Sequence, residues 1–321
     1  MMLLIILFFI LIINYPIGDK ILINGIINVY KEKGYTSHDV VAKLRGILKQ
    51  KKIGHTGTLD PDAEGVLPVC LGNGTKLCDM LTDKSKTYEA VLLLGRVTDT
   101  QDITGVTLRS GEVHVSKEEI EEVILSFVGE YDQLPPMYSA IKIGGKRLYE
   151  LAREGKEIER ETRKVWIHNI QILNFDQENY EVKMLVDCSK GTYIRTLCHD
   201  IGEKLSCGGC MKSLIRIRVG QFDRSNSLTL ENIREKLEQG QLQEYIIPVD
   251  TMFPEDTKVT VSEENSKYLY NGNIIEKKQL TDPFLSECTN QVRVYDWQGV
   301  FVGIYQYDTV TKAFKPFKMF L

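Results

Sequence analysis

A mixed α/β (α+β) domain followed by a small all-β domain is the fold class that the sequence predicts, and three observations carry it. Apolar residues recur at helical spacing in three separate stretches, within residues 36–50, 116–129 and 192–205. Two other stretches have strand character: a long apolar run with β-branched residues, TYEAVLLLGRVTDT, and the alternating YEVKMLVDC. From about Asp250 the helical periodicity gives way to short alternating strands, KVTVS and QVRVYDWQGVFVGIYQYD, punctuated by Asn-Gly and Gln-Gly turns.

The elements follow in chain order. The opening MMLLIILFFILIIN is apolar but lacks a basic leader and a small-residue cleavage site, and it falls short of a bilayer span. Residues 1–19 therefore read as an extension outside the fold, with a short membrane-associating segment as the alternative. In TSHDVVAKLRGILKQ, residues Val40, Val41, Leu44, Ile47 and Leu48 share a helical face, and Thr36 or Ser37 serves as N-cap. SKEEIEEVILSFVG pairs Ser116 with Glu119 in a capping box and is expected to stop at Gly129. In YEVKMLVDC, Val182, Met184, Val186 and Cys188 face one side of a half-buried strand. SKG then turns the chain into TYIRTLCHDIGEKL, which puts Tyr193 and Arg195 at a strand-to-helix junction. The expected domains are 20–249 and 250–321.

Composition limits the function. At 43% hydrophobic and 26% charged residues, the 321-residue chain has ordinary globular chemistry. Its seven cysteines lack the density of a secreted disulfide framework, so a reducing cytoplasm is expected. CGGC, Cys207 to Cys210, has no second pair and reads as structural rather than as a zinc or redox site. A net charge of −4 provides no global basic field, so a nucleic acid would have to be held by local clusters such as KQKK, KIGGKR and RIRVG, each of which otherwise reads as a solvated face.

The densest turn chemistry surrounds one carboxylate. In GHTGTLDPDAEGVLP, Gly54, Gly57 and Gly65 permit close backbone approach or positive φ, and Pro61 biases Asp60 toward an extended conformation. Neither this stretch nor LGNGTK meets the spacing of a nucleotide-binding phosphate loop. The stretch GHTGTLDPDAEGVLPVCLGNGTKL resembles the central motif of the TruB family of tRNA pseudouridine synthases. VYKEKGYTSHDVV, KTYEAVLLLGRVTDTQDITG, PPMYSAIKIGGKRLYELAREG, CSKGTYIRTLCHDIGEKL and LIRIRVGQF resemble further family segments in the same order, and together the matches cover about Ile23 to Phe222.

The resemblance implies a pseudouridine synthase fold, with a mixed, mainly antiparallel central sheet flanked by helices, and a C-terminal PUA-like domain that contacts RNA. It implies Asp60 as the nucleophile or covalent catalyst, Tyr88 stacked on the target base and Arg195 paired with the aspartate. It places Lys31 and Tyr193 in the pocket lining and His55 in the space vacated by the flipped base. The family commonly has Lys-Pro at the first motif, whereas here Lys31 precedes Glu32. The implied substrate is uridine 55 in the T loop of tRNA, and the implied protein is a cytoplasmic monomer with no cofactor, no metal and no stable membrane partner.

Elementary chemistry suits those roles. Isomerising uridine to pseudouridine breaks the N1–C1′ bond, turns the uracil in place and joins C5 to C1′, with no atom gained or lost. A carboxylate must be ionised to act at C1′, and a neighbouring guanidinium favours that form. A base inside a folded loop must be extruded first, at a cost of a few kcal/mol. Three other readings are a synthase acting on a different RNA, including guide-RNA-dependent relatives, an RNA-folding factor, and a carboxylate hydrolase. The last would need a second acid tied to Asp60.

Overall fold

The computed structural model describes residues 22–281 and 290–321. The apolar stretch of residues 1–19 and Cys288 lie outside the described residues. The main strands of the large sheet are β1 (Gly25–Lys31), β2 (Glu64–Leu71), β3 (Lys86–Leu94), β4 (Gly129–Gln133), β5 (Arg163–Asp176), β6 (Glu181–Cys188) and β7 (Gly209–Val219), in the order β1-β2-β7-β3-β6-β5-β4. Short strands Ile53–His55 and Phe222–Asp223 add to β2 and β7. Every pairing along this path is antiparallel except β2 with β7, which run parallel where Glu64 and Gly65 meet Ile215 and Arg216. The sheet is thus mixed and mainly antiparallel.

The flanking helices form where the sequence supplies both a cap and an apolar stripe. Helix α1 (Ser37–Leu48) begins at Thr36, whose hydroxyl accepts from the Asp39 amide while Asp39 accepts from the Thr36 amide. Such a cap is worth about 1 kcal/mol. Val40, Val41 and Leu44 pack on Ile27, Val29, Leu67 and Val69 of β1 and β2. Helix α2 (Cys78–Thr82) precedes β3, and α3 (Lys117–Leu125) starts from the expected Ser116–Glu119 box. The latter ends four residues before Gly129. Its last turn tightens, with Phe127 and Val128 donating to Ile124 and Leu125, and Gly129 at φ 112° opens β4 instead of stopping the helix.

Helix α4 (Leu148–Arg153) is a single short turn, and α5 (Ile194–Lys204) buries Ile194, Leu197, Cys198 and Ile201 against Leu92, Val182, Met184 and Val186 of β3 and β6. Each such side chain removed from water contributes about 1.5–3 kcal/mol. Helix α6 (Leu230–Glu238) covers α1 with Leu230 and Ile233.

A second sheet follows: β8 (Thr257–Thr260), β9 (Ile275–Glu276), β10 (Gln291–Tyr295), β11 (Phe301–Asp308) and β12 (Ala313–Met319), ordered β8-β10-β11-β12-β9. The Asp296–Val300 turn joins β10 to β11 as a hairpin. The Asn-Gly at 271–272 instead caps the short helix α7 (Ser266–Tyr270), with the Gly272 amide donating to Leu269. That glycine has the positive φ of 67° that a helix C-terminus favours. Ile304 and Phe320 from this sheet share a core with Ile26, Val66 and Cys70 of the large one. Among the described residues, no helix is long and apolar enough to cross a membrane.

The crossing of β2 and β7 depends on Gly65, whose φ is 112°. A Cβ there would lie 2.1 Å from the Arg216 carbonyl oxygen. Gly129 has the same φ with open space around it. Left-handed strain alone costs about 1–2 kcal/mol, so Gly129→Ala is expected to lose that much stability and Gly65→Ala more than twice as much. Thermal and urea unfolding of the two variants, compared side by side, checks the ranking.

Candidate active site

The loop between the Ile53–His55 strand and β2 carries Asp60, and four side chains fix its main chain. Arg216, on β7 and 2% exposed, sends Nε to the Val66 carbonyl at 2.7 Å and its two terminal nitrogens to Thr58 and Gly57 at 3.3 Å. Lys31, at the end of β1 and fully buried, donates to the carbonyls of Tyr35 at 2.6 Å, Pro61 at 3.1 Å and Glu32 at 3.2 Å. All three ammonium hydrogens are therefore used within the protein. Burial pulls its amine down to about 8, against the opposing pull of Asp60. The Ser37 hydroxyl accepts from the Leu59 amide at 2.9 Å, and the His55 ring accepts from the Gly57 amide at 3.2 Å.

Arg195 meets Asp60 from the first turn of α5. Its Nε lies 2.9 Å from Asp60 Oδ2 and one Nη lies 3.3 Å from Oδ1, a two-pronged geometry that fixes direction as well as distance. The arginine side chain is 6% exposed, whereas Asp60 leaves 40% of its side chain open to solvent. The remaining guanidinium hydrogens go to the carbonyls of Tyr138 at 2.8 Å and Thr100 at 3.2 Å, with Asp102 Oδ2 at 3.8 Å. The other Asp102 oxygen is held by the hydroxyls of Thr100 at 2.8 Å and Thr104 at 2.5 Å. Burial by the surrounding walls pushes the Asp60 carboxyl above the ordinary aspartate value, Arg195 pulls it back down, and Asp102 adds to the upward push.

Tyr88 stands on β3 directly across from Arg216 of β7 and is 8% exposed. Burial raises its phenol, so the hydroxyl stays protonated at neutral pH. Tyr193 is the N-cap of α5. Its amide donates to Gln133 Oε1 at 2.7 Å and its carbonyl accepts from Gln133 Nε2 at 2.9 Å, so a buried glutamine from β4 supplies the cap that the helix lacks. His55 packs edge-on against His38 with ring centroids 5.2 Å apart, and burial lowers it to about 4, which leaves it neutral.

The six residues singled out in the sequence thus converge on one loop. Asp60 and Arg195 touch, Lys31 and His55 brace the loop, and Tyr88 and Tyr193 stand on the adjoining strand and helix start. A cavity of ≈ 370 Å³ lined by Pro135, Lys142, Arg160 and Arg163 contains none of them. Sequence reasoning missed Arg216, which sits in a run read as solvated, and it passed over Asp102, Gln133 and the Tyr138 carbonyl. The register of Arg216 gave the available signal: in LIRIRV it falls in phase with the apolar Leu214. Among the described residues, no three His, Cys, Asp or Glu side chains converge as a metal cluster would require.

A carboxylate paired to a buried arginine beside a strand-borne tyrosine, on a mixed sheet, agrees with what the resemblance to pseudouridine synthases implies. Residues 45–194 match the model for the TruB family pseudouridylate synthase N-terminal domain, and residues 195–254 match that for the tRNA pseudouridylate synthase B C-terminal domain. The tRNA pseudouridine synthase B of Lachnoclostridium phytofermentans is 57% identical over 306 residues, covering 93% of this chain and 100% of that one. Its counterpart in Clostridium perfringens strain SM101 is 46% identical over 300 residues, 93% of this chain and 99% of that one. Among solved structures, a chain of a Cbf5-Nop10-Gar1 complex aligns with TM-score 0.67 at 26% identity, over 92% of this chain and 85% of that one. A chain of the archaeal box H/ACA Nop10-Cbf5 complex aligns with TM-score 0.65 at 25% identity, over 96% and 89%. The chain belongs to the TruB family of pseudouridine synthases, which are RNA-modifying isomerases.

Removing the Arg216 guanidinium leaves three main-chain carbonyls without their donor, two in the loop and Val66 on β2, each costing about 1–3 kcal/mol. Arg216→Met is expected to accelerate amide hydrogen exchange across residues 56–63 at least tenfold while leaving β6 unchanged. Peptide-resolved exchange mass spectrometry distinguishes this from uniform loosening.

Proposed function

We propose that this protein isomerises uridine 55 in the T loop of tRNA to pseudouridine, with Asp60 as the covalent catalyst. The observation that carries the reading is the Asp60–Arg195 pair, with Nε 2.9 Å from Oδ2, in which the arginine is buried and the carboxylate is partly open to solvent. Relatives of 57% and 46% identity bear the name tRNA pseudouridine synthase B over almost their whole length, which supports tRNA as the substrate.

In this reading the target uridine leaves its stack and enters the pocket beside Asp60. The ionised carboxylate, its charge stabilised by Arg195, bonds to C1′ as the N1–C1′ bond breaks. The uracil turns while held against Tyr88, and C5 bonds to C1′ as the Asp60–C1′ bond breaks and frees the carboxylate. The C5 proton then leaves and N1 takes one up, so the balance closes without a co-substrate. Tyr193 lines the base pocket and His55, neutral at working pH, fills the gap in the RNA loop. Lys31 acts on the pocket from below, through the Pro61 carbonyl next to Asp60. Residues 20–249 form the catalytic part, and the small sheet within 250–321 is a PUA-like module that adds RNA contacts, with Lys312 and Lys318 available for phosphates while Lys315 pairs with Asp308.

Two variants test the assignment. Asp60→Asn keeps the shape of the side chain but removes its charge. Site-resolved pseudouridine detection on unmodified tRNA transcripts is expected to find no product at position 55 while filter binding shows tRNA affinity within about threefold of wild type. Product at the T-loop uridine from this variant would remove Asp60 from the chemistry. Arg195→Ala is expected to lower single-turnover rate at least a hundredfold, about 2.7 kcal/mol, with a much smaller effect on Kd. Equal losses in both would make Arg195 a binding residue.

A further inference from the structure

Cys70 and Cys78 bring two thiols together away from the Asp60 site, at the seam between the two sheets. Cys70 lies on β2 and is fully buried, while Cys78 opens α2 and is half-buried. The backbone accounts for their meeting. Gly54 is the cross-strand partner of Cys70, and a Cβ on Gly54 would lie 3.0 Å from the Cys78 sulfur. Opposed residues in an antiparallel pair hold their Cβ positions about 4.5–5.5 Å apart. The glycine vacates the place from which a side chain would face Cys70, and the Cys78 sulfur fills it. The two thiols are thereby brought close enough to act on each other's charge, Cys70 being the largest influence on Cys78 and Cys78 the largest on Cys70.

We propose that Cys70 and Cys78 form a reversible thiol–disulfide pair, closed by hydrogen peroxide and reopened by a thiol reductant. The more exposed Cys78 reacts first. Its thiolate sulfur attacks one peroxide oxygen, the O–O bond breaks, hydroxide leaves and Cys78 becomes a sulfenic acid. Cys70 then attacks that sulfur, an S–S bond forms, and the sulfenic oxygen leaves as water with the Cys70 proton. Two thiols and one peroxide thus give one disulfide and two waters.

Local electrostatics favour this order. The neighbouring Cys70 thiol and the nearby Lys318 ammonium hold the Cys78 thiol below its ordinary value, and Cys78 together with burial holds Cys70 above it. The other cysteines with a resolved shift all move the opposite way from Cys78: burial pushes Cys210 to about 11, Cys188 to about 12, and Cys198 and Cys207 upward. A depressed thiol that is partly open to solvent and lies beside a resolving thiol is the arrangement that oxidises selectively.

The test uses the full chain and does not depend on its RNA activity. Trypsin cuts after Lys76 and so separates peptide 53–76, which contains Cys70, from peptide 77–84, which contains Cys78. After exposure to hydrogen peroxide and alkylation of the remaining thiols, mass spectrometry is expected to find these two peptides joined, with the mass of two hydrogens lost, and separate again after dithiothreitol. Cys70→Ser should stop at a Cys78 sulfenic acid that dimedone traps, and Cys78→Ser should leave Cys70 unmodified. Unjoined peptides with both thiols still alkylated would overturn the proposal. Oxidation of Cys70 in Cys78→Ser at the wild-type rate would also overturn it.

Discussion

The Asp60 loop is held by two buried cations, Arg216 and Lys31, whose partners are main-chain carbonyls. Burying a charge without compensation is costly, so each cation requires its carbonyls as firmly as the carbonyls require a donor. Five of the six carbonyls they hold belong to the Asp60 loop or the segments that abut it: Gly57, Thr58, Pro61, Val66 and Tyr35. The loop cannot move without stranding a charge. Gly65 makes this possible, because only a glycine lets β2 pass close enough to β7 for Arg216 to reach beneath the loop.

The choice of carbonyls over carboxylates also shapes the electrostatics. No carboxylate neutralises Arg216 or Lys31 among the described residues, and Asp60 finds its ion-pair partner on a different element, at the start of α5. That helix is held in place by Gln133, which closes its N-terminus, and by the Tyr138 and Thr100 carbonyls, which take the remaining guanidinium hydrogens. Asp60 therefore sits between opposing influences. Protein walls disfavour its charge and Arg195 favours it, and the two-pronged contact with Arg195 holds the carboxylate in a fixed direction.

Much of the molecule was legible in the residues. The helices at Ser37–Leu48, Lys117–Leu125 and Ile194–Lys204 announced themselves by caps and apolar stripes, and the alternation through Val182, Met184 and Val186 was a strand at first sight. The ends of elements were less legible. Gly129 and the Asn-Gly at 271–272 each carry a positive φ, and a positive φ can end a helix, start a strand or turn a hairpin. Asp60, Arg195 and Tyr88 stood out because family-like motifs surround them. Arg216 did not, because a cation in an alternating basic run reads as solvated until the carbonyls that bury it are known, and those lie about 150 residues earlier in the chain. Gln133 was hidden for the same reason: its partner, Tyr193, is 60 residues away.

The charge on Asp60 is the point at which the account is most exposed, and it can be observed directly. Protein labelled with ¹³C at the aspartate side-chain carboxyl carbon, with the Asp60 resonance assigned by its loss in Asp60→Asn, can be titrated by NMR in the wild type and in Arg195→Ala. Asp60 is expected to be a carboxylate at neutral pH with a midpoint above the ordinary aspartate value of 3.8, and that midpoint is expected to move further upward when Arg195 is removed. An Asp60 that titrates at the ordinary value in both proteins would contradict the opposing-influence description. A carboxyl that stays protonated through neutrality in the wild type would contradict the role proposed for it as the attacking group.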